Sequence, residues 1–434
     1  MTTPIKTLAA YAHWLEALKA FPAPAPWLLE KRKEALDALS ADGLPTPRTE
    51  DWRWSDIHRY LNAAYTPAAG GAVALDEMLA ANPFAGLDAS VMVFANGVFV
   101  PDASMLMEED GVDVIALSEM PIDPDWLDIA AGEDAFDRLN LAHATDGALI
   151  RVRAGLEASI PLVILNISDG DGSSHALRHL IRVEEGAAFS LFEAYVGGGD
   201  HVLLETTKAR LDAGAKLSRL SADLRDDQSI AYANLHATVE AGAALSDISL
   251  YAGGRHRRQQ NFVQLAGDHA DATVDAACLL HDRQHVDTRL VVDHLAAQGA
   301  SRELFRCVVD DHARGSFEGK IHVAPGAAAT DARMGAHGLL LSETAEFDAK
   351  PELQIFHDDV VCAHGATAGA LDAQQLFYLR ARGVPEKQAR ALLIAAFVAE
   401  VFDAVEDEAA RTTLRAITAR WLGMEDTAEG EAAA

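Results

Sequence analysis

Apolar positions change their period twice along this chain. Near the start, Leu8, Tyr11, Leu15 and Leu18 recur at helical spacing, which predicts one helix. The Pro22-Ala-Pro24-Ala-Pro26 run breaks it, and residues 27–39 resume a helical pattern. LPTPRTEDWRWSDI (44–57) reads as an extended, Pro-punctuated stretch carrying Trp52 and Trp54. From about Val91 the signal turns to short β-like runs, VMVFANGVFV and VDVIAL, with one helical insert expected around 132–143. After Gly369 helical spacing returns. Residues 371–382 end at Gly383, Pro385 can open the next helix, Leu393, Phe397 and Val401 fall at i, i+4, i+8, and Leu414, Ile417 and Trp421 make a last stripe.

Between about 148 and 370 the strand-like pattern repeats. IRVEEGAAFSL (181–191), ARLDAGAKLSR (209–219) and ATVEAGAALSD (237–247) align without gaps, so that Gly186, Gly214 and Gly242 recur every 28 residues. Apolar residues stand three before each glycine (Val183, Leu211, Val239) and three after it (Phe189, Leu217, Leu245). Weaker copies are placed at His269-Ala270, Gly299-Ala300 and Gly326-Ala327. A fixed period of this size means stacked units that cannot bury their apolar stripe singly. Alternating apolar residues around a glycine turn favour a parallel β-helix over a helical solenoid, and right-handed crossovers are the rule. A β-sandwich with coincidental hairpins is the competing fold. The expected organisation is therefore an N-terminal helical and extended region (1–90), a β-helix core (91–370), a C-terminal helical domain (371–423) and a disordered acidic tail (424–434).

Charge narrows the function. Lys plus Arg is 36 and Asp plus Glu is 66, a net charge of −30 that repels phosphate backbones and anionic membranes. Three widely spaced cysteines, Cys278, Cys307 and Cys362, exclude a disulfide framework and fit a reducing compartment. The start lacks a secretory pattern and no apolar run reaches a membrane-spanning length, so a soluble cytoplasmic protein is expected.

Chemistry concentrates in FHDDVVCAHGATAG (356–369). On a strand, Cys362 and His364 project to one face, and a thiolate beside an imidazole suits iron, zinc or copper. Two ligands leave a coordination sphere unfilled, so a second chain, an exogenous ligand or a remote residue must complete it. A buried cysteine beside a satisfied histidine is the bland alternative. His281, His285 and Asp287 share parity and could line one strand face, or simply a polar surface. Cys278 and Cys307 have apolar neighbours and are expected in the core, and Asp310, Asp311 and His312 in a loop. His337 and His357 have no assigned role. GSFEGKI (315–321) lacks the spacing and the hydroxyl residue of a phosphate loop, and no hydrolase or zinc motif is present. Any ATP-driven work falls to another subunit.

Over nearly its whole length the chain resembles the SufD family, iron–sulfur cluster assembly scaffold proteins of the SufB/SufD type. The resemblance is carried by SRELFRCVVDDHARGSFEGKIHV, KPELQIFHDDVVCAHGATAG and LDAQQLFYLRARGV between about 301 and 384, with PRTEDWRWSDI and DAFDRLNLAHATDGALIRV upstream. GAHGLLLS (335–342) and HLAAQGAS depart from an Asn-rich stretch and a His-x-x-Pro element typical of the family. The resemblance implies a right-handed parallel β-helix between helical regions, paired with the paralogue SufB through the β-helix and with the ATPase SufC through the C-terminal helices. It implies a non-catalytic scaffold that builds and transfers a nascent iron–sulfur cluster, shared with a partner and absent from the isolated chain. His364 is then the residue facing the cluster, Cys362 supports it, and Leu393, Phe397 and Val401 contribute to ATPase docking. Without SufB the chain is expected to form a homodimer. A carbohydrate-active β-solenoid enzyme and a stand-alone metal-binding protein are the alternatives; low aromatic content, 6%, disfavours the first.

Overall fold

A computed structural model describes residues 5–61, 64–123, 126 and 134–424, without the side chains of residues 5–11 and 13. The face expected through Leu8 and Tyr11, and the tail from residue 425, lie outside the described residues.

The repeat folds as a parallel β-solenoid of about eight coils. Each coil gives one strand to each of two sheets, because a straight run of about ten residues ends at a turn that hands the chain across. One ten-stranded sheet runs from Val112–Ala116 through Ala148–Val152 and Ser173–Val183 to Glu346–Ile355. The other, also ten-stranded, runs from Val98–Phe99 and Ser90–Ala95 through Leu162–Asp169 to Val360–Gly369. Pairing is parallel apart from Val98–Phe99 and Val112–Ala116, which pair antiparallel.

Gly186, Gly214 and Gly242 occupy one turn position in successive coils, each at φ between 65° and 69°. That left-handed conformation costs any other L-residue about 1–2 kcal/mol, so glycine marks the repeat there. Later coils use other residues at the same position. Backbone N–H bonds run from Gly242 to Asp268, from His269 to Ala297 and from Gln298 to Ala328, and His269, Gln298 and Ala329 all have φ near 60°. The sequence alignment is thus corrected in the last two coils. Gln298 and Ala329 hold the turn position, displacing Gly299 and Gly326, because the coils lengthen and glycine no longer marks the turn.

Three apolar cores result. Inside the coil, Phe189, Leu217, Leu245 and Ala272 stack rung on rung. On the outer face of the first sheet, Leu204, Ile230 and Tyr232 pack against Trp14, Leu28, Leu39 and Trp52 of the N-terminal region. This region includes helices α1 (Ile5–Ala20) and α2 (Leu29–Asp42), the short α3 (Leu75–Ala80) and the insert α4 (Ala135–His143). On the outer face of the second sheet, Ile248, Leu250, Leu279 and Val308 pack against α6 (Glu386–Phe402) and α7 (Glu408–Trp421), which follow α5 (Ala373–Ala381).

The upstream motifs are clamps onto the first sheet. Trp52 stacks on Tyr232 with the Arg258 guanidinium 4.1 Å from its ring centroid, and Asp51 pairs with Arg289 at 2.8 Å. Asp134 caps α4 by accepting from Asp137 N, and Asp137 accepts from Arg178 Nη1 at 2.7 Å, fully buried. Among the described residues no helix is long and apolar enough to cross a membrane.

Candidate functional site

The solenoid ends on an uncovered coil. Glu346–Ile355 and Val360–Gly369 each have a strand neighbour on one side alone. The last coil also carries exposed apolar side chains, with Phe356 at 55% and Val361, on the outward parity of its strand, at 61% exposure. Cys362 lies opposite Ala332 and His364 opposite Met334. Both partners belong to the interior core, so parity turns Cys362 and His364 toward the interior of the coil at its open mouth. Phe347, Ala349 and Leu353 line the mouth from the other sheet. Burial raises the Cys362 thiol above its usual value, partly offset by a hydrogen bond with the Ala332 backbone. His364 is exposed.

The mouth can thus present one sulfur and one imidazole nitrogen to an incoming metal. Among the described residues no three His, Cys, Asp or Glu side chains are grouped to hold an ion. Four donors fill a tetrahedral site, so this pair needs ligands from elsewhere to hold a metal.

The other candidates are placed differently. His281 lies in the turn before the strand His285–His294, so the single strand face expected for His281, His285 and Asp287 does not exist. His281 Nδ1 sits 2.7 Å from Asp282 Oδ2, at the surface. Asp287 is buried and holds the N-terminal region to the sheet through Ser55 Oγ, with Arg258 Nη1 as its second partner, whereas His285 pairs with Ser316 Oγ of the neighbouring strand at 3.2 Å. Cys278 and Cys307 are buried register partners inside the coil. A hydrogen bond with Cys278, together with burial, pushes the Cys307 thiol well above its usual value, which keeps it protonated and inert. Asp311 and His312 line a turn groove with Asp282 and Arg255. His337 Nδ1 contacts Thr367 Oγ1 at 2.8 Å, and His357 Nδ1 accepts from Asp359 N at 3.1 Å.

At the C-terminal helices, Val401 is 0% exposed and packs with Ile394, Val398 and Phe402 on the second sheet, so it is corrected from a docking residue to a packing residue. An i, i+4, i+8 stripe drifts about 40° per step around a helix, which carries Val401 under the helix while Leu393 stays at its rim. Leu393 and Phe397 are half-buried and line a groove of about 430 Å³ with Leu339, Ala368 and Leu371. Phe397 also lies under the Arg306 guanidinium, 4.8 Å from its ring centroid. The open surface is on α5, which buries none of its residues and exposes Phe377 at 72% and Tyr378 at 58%. The sequence signal for it was the LFYL run, apolar all round with no face to bury.

Two family models match the chain: "SufBD protein N-terminal region" over residues 11–164 and "SUF system FeS cluster assembly, SufBD core domain" over residues 166–397. The chain is 29% identical over 389 residues to the iron–sulfur cluster assembly protein SufD of Escherichia coli, covering 87% of this chain and 89% of that one. It is 30% identical over 409 residues to an iron–sulfur cluster assembly SufBD family protein of Synechocystis, covering 87% of each. A chloroplastic Arabidopsis thaliana protein, ABCI7, is 31% identical over 284 residues, 62% of this chain and 59% of that one.

Proposed function

From the premise that the chain belongs to the SufBD family of the SUF iron–sulfur cluster assembly system, we propose that it is a SufD-type, non-catalytic scaffold subunit. In this role it pairs with a SufB-like paralogue at the open end of the solenoid and with a SufC-like ATPase at the C-terminal helices, in the cytoplasm. The nascent cluster is cargo, held transiently at the paired mouth and passed on.

One observation carries this reading: Cys362 and His364 stand at the uncovered end of the coil, where both terminal strands still have free edges. Such an edge is a template for another chain, and a paired chain would bring the missing ligands to the same place. His364 then faces the cluster, with Cys362 beside it. The free edge also supports self-pairing when the paralogue is missing. The exposed Phe377 and Tyr378 of α5, with Leu393 and Phe397 beside them, support the ATPase contact.

Co-expression with SufB- and SufC-like chains tests the reading. A tagged copy is expected to retain both, and Phe377→Glu with Tyr378→Glu is expected to release the ATPase while the paralogue stays and the far-ultraviolet dichroism is unchanged. Purification of the tagged chain with neither partner would overturn it.

A further inference from the structure

The early coils enclose a set of buried charges, away from the mouth. Arg219 donates to Glu193 and Asp247, and Asp223 accepts from Arg225 and Arg257, each group at most 3% exposed. Glu205 lies among them, 1% exposed, and parity with Leu203 and Leu211 of the interior core turns it into the coil. Three arginines thus meet four carboxylates. Fully ionised, the set would carry an uncompensated negative charge in the interior, which is expensive.

The hydrogen bonds show which carboxylate keeps a proton. The Tyr195 hydroxyl lies 2.6 Å from Glu205 Oε1 and 3.2 Å from Glu193 Oε2. A hydroxyl has one proton and an ionised carboxylate only accepts, so two ionised glutamates would leave one contact without a proton. Glu193 Oε2 also accepts from Arg219, which marks Glu193 as the ionised member. Glu205 Oε2 has no hydrogen-bond partner. His179 does not supply the missing positive charge. Its Nε2 stands 3.9 Å from Glu205 Oε2, and its Nδ1 accepts from Ala148 N at 3.0 Å, which requires the neutral imidazole.

The charged and titratable side chains facing Glu205 are His179 from Ser173–Val183, Glu193 and Tyr195 from Ala188–Gly198, Arg219 from Lys216–Asp223 and Arg257 from His256–Leu265. Burial, followed by the Glu193 charge, raises the Glu205 carboxyl to about 7, against the smaller opposing effects of Tyr195, Arg257 and Arg219. Burial pushes Tyr195 well above its usual range, so it stays a hydroxyl. The folded value of Glu205 exceeds the ~4.3 of an unfolded glutamate. Stabilisation from the held proton is therefore complete below about pH 4 and is lost as pH rises through about 7.

We propose that Glu205 and Glu193 share one extra proton through the Tyr195 hydroxyl and that its loss loosens the early coils, which makes this pair a pH-sensitive switch inside the solenoid. With the proton in place, the Glu205 carboxyl donates to the Tyr195 oxygen and Tyr195 donates to Glu193. Once the proton leaves to solvent, two like charges compete for one hydroxyl in a buried site and repel each other. The strand that carries Glu205, Val202–Leu211, also packs Val202 and Leu204 against the N-terminal region, so its loosening reaches that clamp.

Infrared difference spectroscopy on the purified full chain tests it, through the carbonyl stretch that a carboxylic acid has and a carboxylate lacks. Wild type minus Glu205→Gln is expected to show that band at about pH 5 and to lose it by about pH 9, with a midpoint near neutrality. Glu303, also buried, with its carboxyl raised to about 8, cancels in the difference. Glu193→Gln, which removes the neighbouring charge, is expected to move the midpoint to lower pH. Amide exchange over residues 188–211, read by mass spectrometry, is expected to match in wild type and Glu205→Gln at about pH 5 and to run several-fold faster in wild type at about pH 9. Absence of the band at about pH 5, or its survival to about pH 9, would overturn the shared proton. Equal exchange at both pH values would overturn the switch. If Glu205→Gln does not fold, titration of wild type against Glu193→Gln decides, and an unmoved midpoint overturns the pairing.

Discussion

Arg219 sits inside the coil, 3% exposed, between Glu193 and Asp247 on adjacent rungs, and donates to Asp247 Oδ1 at 2.6 Å. Burial works against its charge, but Glu193 and Asp247 more than compensate and hold the guanidinium ionised. Arg219→Met would strand two buried carboxylates, and a loss of about 3–5 kcal/mol in urea-denaturation stability is expected. Glu303 has no such partner, so its effect runs the other way and follows pH. Burial raises its folded value to about 8, far above the ~4.3 of an unfolded glutamate. Stability is therefore fullest below about pH 4 and is lost as pH rises toward 8, because the unfolded chain ionises first. Glu303→Gln removes this dependence. Denaturation midpoints of the variant and wild type are expected to coincide most closely at about pH 4 and below and to diverge in the variant's favour up to pH 8; a gap that does not change with pH would contradict the assignment.

Turns and faces show what could be read from residues. Gly186, Gly214 and Gly242 revealed the coil because a left-handed turn selects glycine strongly enough to leave a period in the sequence. The selection relaxes in later coils, where Ala329 takes the same conformation at φ 56°, so the register faded although the fold did not. Ala329→Gly is accordingly expected to stabilise by about 1 kcal/mol, seen as a higher thermal midpoint. Strand parity made the Cys362–His364 pair legible, since residues two apart share a face whatever surrounds them. Whether that face is covered is a property of the next coil and was not legible. The same holds for the helices: spacing located α6, but the side that Val401 faces depends on the sheet beneath it, and Asp287 and His285 could not be separated from a metal face until Ser55 and Arg258 came to rest on Asp287 and Ser316 on His285. Glu303 gave no signal at all, because a carboxylate is normally read as surface.

At the scale of the whole molecule the two ends of the chain have different tasks. The N-terminal region and helices α6 and α7 cover the outer faces of the two sheets, while the last coil and α5 expose Phe356, Val361, Phe377 and Tyr378. A solenoid normally caps its terminal coil with polar residues. This one ends on Phe356, Val361, Cys362 and His364, consistent with a cap supplied by another chain. The most direct measurement is cluster content of the co-purified three-subunit complex after anaerobic reconstitution, comparing wild type with His364→Ala by visible absorption and iron analysis. Loss of the cluster from a variant complex that still elutes intact is the predicted result. A variant complex carrying a full wild-type complement of iron would contradict the placement of the cluster at the open end of the solenoid.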